Sequence, residues 1–301
     1  MKVRLTHRIE YAALRCVSWL VGVLPHRVAL ALAWGAARVA YAANRQLRVR
    51  TFRRLRQALG AELGAPELAR IGWLAYRNLV FTVVEGMKLS RIRREWVTRH
   101  MAQGPVDQVR TELSRGRGLI IAVPHMGNWE LAGIALQSQG VHLITLVRKQ
   151  KNPLVNAWLN RVRTRTGVEA IDTHSRDIGE VARKLVAGNK VLTILPDVRA
   201  KSGGVSVRFL EAETLVPLGT VRYARSAGLP ILTGQVVRSG WTRHEWSLTG
   251  RIEPDQNASE EADGRRIMQY IMDRFSESVQ AHPEDYFWFN KRWVLGPEGA
   301  P

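Results

Sequence analysis

The 301-residue sequence holds a single cysteine, Cys16. One thiol cannot close a disulfide within the chain or build a multi-cysteine metal site, and it fits a reducing compartment. Acidic residues are scarce: 26 Asp and Glu stand against 45 Lys and Arg, a net charge of +19 with a pI near 11.1. A surplus of this size implies anionic partners, whether nucleic acid, anionic lipid or acidic protein. A spanning helix needs roughly 20 mostly apolar residues, and no such clean run occurs. Residues 17–43 are apolar, but Pro25, His26, Arg27 and Arg38 cut them, leaving 17–25 and 28–37 as the longest runs. A secretory signal is also missing, because the apolar stretch comes too late, is broken by charge and lacks a small-residue cleavage pattern close behind it. No internal repeat or low-complexity linker interrupts the chain.

Hydrophobic residues make up 46% of the chain and charged residues 24%, which excludes a disordered polymer. The length suits one large α/β domain, alone or with a helical N-terminal extension. Ten tryptophans are present; the indole ring suits both water–lipid boundaries and protein cores. The charge is uneven. Residues 1–56 carry twelve basic residues against one acid, Glu10. We read this region as two apolar helical segments lying in or dipping into one leaflet, followed by a basic stretch. There Arg45, Arg48, Arg50, Arg53, Arg54 and Arg56 would meet anionic headgroups, at about 1 kcal/mol each near the surface. The positive flank predicts the cytoplasmic face. The other reading is a buried helical hairpin with a solvated basic face. The expected organisation is a membrane-associating region, 1–56, and an α/β domain, 57–301.

Residues 57–115 have helical spacing, most clearly in APELARIGWLAYRNLVFTVVEGMKL, which follows a Gly-Ala-Pro start signal. The texture then changes. GLIIAVP, VHLITLV, VEAID, KVLTILPD, PILTGQVVR and HEWSLTGRI read as strands. WELAGIALQSQ, PLVNAWLNRVRTRTG, IGEVARKLVAG, LGTVRYARSAG and ADGRRIMQYIMDRFSESVQAH read as helices. This alternation predicts a mixed, largely parallel sheet flanked by helices.

The segment that carries chemistry is Val123-Pro124-His125-Met126-Gly127-Asn128-Trp129-Glu130. His125 follows directly on a predicted strand, and Asn128 is a good N-cap for the helix starting at Trp129. That puts His125 on the rim where open α/β sheets bind ligands. Four residues lie between His125 and Glu130, so a turn could return the carboxylate to the imidazole, fix its tautomer and free the other nitrogen as a base. Asp197 ends another predicted strand and should share the rim, unless it only caps a turn. Arg161, Arg163 and Arg165 are basic candidates on one helix; alternatively they form a solvated face. Arg148 is a further phosphate candidate. Gly203-Gly204 suits a loop approached by a ligand or an ordinary turn. Phe287, Trp288, Phe289 and Trp293 line an acyl groove or fill a core.

HMGNWEL resembles the His-x4-Asp/Glu motif of the late acyltransferases of lipid A biosynthesis, which commonly read His-Phe-Gly-Asn-Trp-Glu. RKQKNPLVNAWLNRVRTRTG, LPDVRAKSGGVSVRFL and HPEDYFWFNKRW are similar to three further segments of that family, in the same order, over residues 118–295. Mycobacterial phosphatidylinositol mannoside acyltransferases share the pattern.

The resemblance implies an O-acyltransferase at the cytoplasmic face of a bacterial inner membrane. Its donor would be an acyl carrier protein or coenzyme A thioester, its acceptor a hydroxyl of a lipid A precursor or related glycolipid. It implies His125 as base, Glu130 as its orienting acid, Arg163 on the thioester oxyanion or a phosphate, and Asp197 as an active-site acid. Arg148, Arg161, Asn128, Gly203, Gly204 and Arg292 are the expected substrate-binding positions. No metal or cofactor is expected. No Gly-x-Ser-x-Gly elbow occurs, so direct attack without an acyl-enzyme is expected. An acidic carrier protein would be steered by the positive surface. Two departures point away from lipid A itself: RTFRRLRQAL has Arg where the family often has Asn-Leu, and LPDVRAKSGG lacks a second acid. The competing acceptors are a phosphatidylinositol mannoside and a lysophospholipid. The competing class is a non-catalytic basic protein that binds membrane or nucleic acid. No nucleic-acid signature is present: aromatic and basic residues do not alternate on a strand.

Overall fold

A computed structural model describes residues 3–60, 63–89, 94–102, 104–172 and 177–296. The helical expectation over 57–115 therefore includes residues 61–62, 90–93 and 103, which lie outside the described residues.

The apolar N-terminal region forms two helices, α1 (Leu5–Val23) and α2 (His26–Ala43). Pro25 precedes α2 and separates them, because it cannot donate into the α1 ladder. Asn44 then caps α3 (Arg45–Leu59), its Oδ1 accepting from Leu47 N at 2.9 Å. The long helix α4 (Ala65–Lys88) opens with Pro66 and Glu67 and closes with Lys88, matching both the free N–H groups and the dipole. At Gly72 of α4 a Cβ would meet Tyr41 Oη at 2.9 Å and Thr51 Cγ2 at 3.3 Å, so α2 and α3 cross α4 closely there. Two short helices follow, α5 (Arg94–His100) and α6 (Val106–Leu113). Among the described residues no helix is long and apolar enough to cross a membrane.

The main sheet has the order β3-β2-β4-β1-β7-β8. Its strands are β1 (Leu119–Ala122), β2 (Leu143–Val147), β3 (Glu169–Asp172), β4 (Val191–Ile194), β7 (Ile231–Arg238) and β8 (His244–Ile252). All neighbours are parallel except β7 and β8. The crossovers run through α7 (Trp129–Ser138), α8 (Pro153–Thr166), α9 (Ile178–Ala187) and α10 (Gly219–Ala227). The parallel β1 is buried along its whole length, as a strand covered on both faces must be. One core cluster joins α10, the closing helix α11 (Glu260–Ala281) and the C-terminal segment to Leu55 and Ala58 of α3. A second fills the opposite face beneath α5–α8. Arg54 of the basic stretch turns inward, donating to Trp288 O at 2.6 Å and Asn290 O at 3.0 Å.

A separate hairpin, β5 (Val205–Phe209) and β6 (Ala212–Val216), packs against α11 and is absent from the sequence reading. Its connection is Leu210-Glu211, with Leu210 at φ +54°. Such a turn normally advertises itself with Asn or Gly, and neither occurs here.

Candidate active site

Strand β1 delivers Val123, whose N–H still bonds Ile194 O of β4 at 3.1 Å. The chain then turns. Gly127 takes φ +59°, and a Cβ there would lie 2.3 Å from Val236 O, so only glycine permits this approach. Asn128 Oδ1 caps α7 through Leu131 N at 2.9 Å. The turn lifts His125 onto the carboxyl rim of the sheet. Strand β4, the neighbour of β1, delivers Asp197 to the same rim.

The two residues are joined twice. His125 N–H donates to Asp197 Oδ2 at 2.9 Å, and His125 Nδ1 donates to Asp197 Oδ1 at 2.7 Å. Tyr286 donates a third bond to the same carboxylate from a fully buried phenol. Asp197 is 2% exposed. A carboxylate can only accept, so Nδ1 carries the ring proton and the lone pair sits on Nε2. Among the described residues Nε2 has no protein hydrogen-bond partner, and the side chain is 22% exposed. Burial alone would lower the imidazole pKa; the Asp197 charge and hydrogen bond overcome it and raise it above 6.5. The imidazole is thus oriented by a buried acid with its other nitrogen open, the arrangement a general base requires.

The orienting acid is thus Asp197 and not Glu130. Local spacing suggested Glu130, but the helix start directs its side chain to solvent on the rim, and it makes no hydrogen bond with the imidazole. The protein mass around Glu130 raises its carboxyl pKa, against the pull of Arg163. Arg163 therefore lies within electrostatic reach of Glu130 and is half-buried on α8, while Arg161 and Arg165 are exposed. Arg161 reaches Tyr11 Oη of α1 at 3.3 Å. Arg148 is exposed just past the end of β2.

Three of the expected substrate-binding residues make contacts within the fold. Asn128, 2% exposed, has its amide NH2 on Glu85 Oε2 at 2.7 Å as well as its cap bond. Arg292 donates to Arg199 O, tying the loop after Asp197 to the C-terminal segment. Gly204 sits where a Cβ would be 2.6 Å from Val216 O of β6, so its smallness admits a strand. Gly203 is exposed at φ +56° with open space around it.

Behind Asn128 lies a buried charge cluster that sequence reasoning missed. Arg238 grips Glu85 with two bonds of 2.9 and 2.8 Å, and His244 Nε2 lies 3.1 Å from the same carboxylate. Glu85 and Arg238 side chains are each 1% exposed. Burial would raise the Glu85 pKa; Arg238 and His244 reverse this and hold it well below the usual carboxylate range. A lone acid inside FTVVEGMKL was the available signal, because an unpaired carboxylate on an apolar helix face cannot stay buried.

Aromatic rings lead away from the base. Trp129 and Phe287 lie 5.2 and 6.3 Å from the imidazole. From Phe287 a sequence of ring contacts of 5.3–6.3 Å runs through Phe289, Tyr76, Tyr41 and Trp73 to Trp34. Most of these rings are half-buried, and Trp34 of α2 is 41% exposed. Trp288 and Trp293, offered above as groove residues, are 0% and 4% exposed and belong to the core.

The family model described as bacterial lipid A biosynthesis acyltransferase matches residues 2–294. The chain belongs to that family. The His125–Asp197 rim lies within the matched residues. The chain is also 25% identical over 215 residues to the phosphatidylinositol mannoside acyltransferase of Mycobacterium tuberculosis, covering 70% of this chain and 66% of that protein. It is 24% identical over 191 residues to the protein of that name from Mycolicibacterium smegmatis, covering 63% and 61%. The matched region spans just under two thirds of these relatives' length. Among solved structures, the 1-acyl-sn-glycerophosphate acyltransferase of Thermotoga maritima covers 84% of this chain and 96% of its own, with a TM-score of 0.37 and 14% identity. In this lipid A acyltransferase family member, the ring contacts begin beside the oriented histidine, at Phe287, and end at the exposed Trp34 of α2.

Proposed function

We propose that this protein transfers a fatty acyl chain from an acyl carrier protein or coenzyme A thioester to a hydroxyl of a glycolipid, at the cytoplasmic face of a bacterial inner membrane. The observation that carries the reading is the 2.7 Å His125–Asp197 bond with Nε2 left open. Nε2 takes the proton of the acceptor hydroxyl as its oxygen attacks the thioester carbonyl. Asp197 stabilises the imidazolium. The tetrahedral intermediate collapses, the carbon–sulfur bond breaks, and the proton on Nε2 passes to the departing thiolate. Arg163 is the cation placed to meet the oxyanion or an acceptor phosphate. We assign Arg148 and Arg161 to the acceptor headgroup and Glu130 to an acceptor hydroxyl. The ring path from Phe287 to Trp34 suits the acyl chain.

The membrane reading is supported by exposed apolar side chains concentrated on α1 and α2. Leu5, Ile9, Trp19, Leu20, Val23, Leu32, Trp34 and Val39 are each 41–73% exposed. Burying such a side chain in lipid contributes about 1 kcal/mol apiece at half exposure. The acceptor we favour is a phosphatidylinositol mannoside or a similar glycolipid over a lipid A precursor, given the two departures from the lipid A pattern and the names of the relatives.

The test is transfer from a radiolabelled acyl carrier protein, and separately from acyl coenzyme A, into a bacterial glycolipid extract in detergent. The wild-type protein should yield a labelled lipid whose mass names the acceptor, and His125→Ala should lose it while keeping its circular dichroism. Equal transfer by both proteins would overturn the base assignment, and no transfer from either donor would overturn the enzyme reading.

A further inference from the structure

A second depression, of about 490 Å³, opens where the Pro25 turn, α5 and the β7–β8 loop meet. Its charged lining is entirely cationic: Arg27, Arg99 and Arg243 surround it, with no carboxylate among the lining residues. Its floor is aromatic. Trp96 stacks on His100 at 4.1 Å, and His26 stands edge-on to both at 5.1 and 5.0 Å. His26 has only 9% of its side chain exposed, and neither of its ring nitrogens has a hydrogen-bond partner. A buried polar group without a partner costs stability unless something completes it. The nearest acid, Glu85, is 3.8 Å away and already held by Arg238 and His244.

Three guanidinium groups around the buried His26 and the half-buried His100 make a receptor for a tetrahedral oxyanion, since each guanidinium presents a fork of donors that matches phosphate oxygens. The rim of the depression carries a second signal. Val23 and Val28 flank the Pro25 turn at 51% and 44% exposure, and Trp19 and Leu20 extend the apolar surface. A phosphate seated on the arginines and attached to acyl chains would lay those chains along these residues.

We propose that this pocket binds the phosphate of an anionic phospholipid, apart from the His125 rim and without being consumed in the reaction. The proposal assumes nothing about the chemistry at His125. Burial holds the His26 pKa down, to about 4, against the pull of Glu85, so the ring is neutral at pH 7. The two sites are also connected. Glu85 contacts both His26 and Asn128, and Asn128 caps the helix that follows the catalytic turn.

The test titrates the full-length chain, labelled at its histidine rings, with dihexanoyl phosphatidylglycerol below its micelle concentration and, separately, with inorganic phosphate. The ring signals of His26 and His100 should shift and saturate with the lipid, while inorganic phosphate binds at least about 10-fold more weakly. R27Q/R99Q/R243Q should weaken lipid binding by about 100-fold, taking about 1 kcal/mol per arginine near a lipid surface. R45Q/R50Q/R56Q on α3, with the same loss of charge, should leave the shifts intact. The pocket arginines are exposed, so the variant should fold, and circular dichroism checks that it does. Absence of shifts, or shifts that survive in the pocket variant, would overturn the site. Shifts lost equally in the α3 variant would reduce it to bulk charge. Equal affinity for inorganic phosphate would overturn the lipid assignment.

Discussion

Asp197→Asn removes one charge and no volume, and its effect can be worked out atom by atom. Oδ2 of Asp197 faces the backbone N–H of His125, which can only donate, and Oδ1 faces Nδ1. In the variant the carboxamide oxygen must stay on the backbone N–H, because turning the NH2 there would leave two donors facing each other at a cost of about 1–3 kcal/mol. The NH2 then faces Nδ1. It can only donate, so the imidazole must accept at Nδ1 and carry its proton on Nε2. The lone pair that takes the hydroxyl proton is gone. The loss from a wrong tautomer in a His–Asp pair of this kind is about 10⁴-fold in kcat, or about 5.5 kcal/mol of barrier. The pH profile supplies a second readout. In the wild type the acid limb of kcat/KM lies above pH 6.5, because Asp197 raises the imidazole pKa and activity is gained only as pH rises past it. Without the charge, burial is unopposed and the limb moves below 6.5. The assay is acyl transfer from a radiolabelled donor across pH 5–9, with melting curves to show that the fold survives. Retention of more than about a tenth of kcat, or a limb that stays where it was, would refute the orienting role of Asp197.

Arg163→Gln should lower kcat/KM by about 10²-fold, the scale for losing one oxyanion donor, while Arg161→Gln on the same helix changes it by less than about 3-fold; comparable losses in both would mean a diffuse basic face. Glu85→Ala leaves Arg238 buried without its partner and should destabilise the fold by about 3–5 kcal/mol, seen as a drop of roughly 10 °C in Tm; an unchanged Tm would remove the cluster from the stability of the fold. Asp285, 7% exposed, has its pKa pushed up to about 6 by burial, against the bond from Arg238 N. A carboxyl raised in the folded state contributes stability that is complete below pH about 4 and is lost as pH rises to about 6, some 3 kcal/mol in all. Urea unfolding at pH 4.5 and 6.5 should show this fall, and Asp285→Asn should flatten it; a steeper fall in the variant would contradict the assignment.

The rim was legible because parallel strands are written as apolar runs that end in Pro-His and Pro-Asp, and both residues stood at such ends. Which acid faced the histidine was not, because spacing along the chain pairs His125 only with near neighbours, while the sheet brings Asp197 in from the neighbouring strand. Tyr286 was hidden for the same reason: its bond to Asp197 is made by packing across the fold. In the turns that follow the 3-10 segment Pro283–Asp285, Tyr286 and Trp288 are buried in the core while Phe287 and Phe289 are half-buried and join the ring contacts. Composition could name that aromatic cluster but could not assign its sides. The break at Pro25 was plain because proline is not accommodated in a helix interior, whereas the β5–β6 hairpin turned on Leu210 and carried no residue that marks a turn.

The catalytic turn is also held from the far end of the chain. Phe287 N–H donates to His125 O at 2.8 Å, Gly127 N–H donates to Asp285 O at 2.9 Å, and Tyr286 holds Asp197. In a chain growing from its N-terminus, His125 and Asp197 emerge long before these last clasps exist. At about 5–20 residues per second, the interval between His125 and Phe287 is on the order of ten seconds. During that time the nascent protein already displays its apolar helices and its arginines but lacks the support that sets the histidine. The clasps that fix the His125 turn are therefore the last part of this site to be completed as the chain is made.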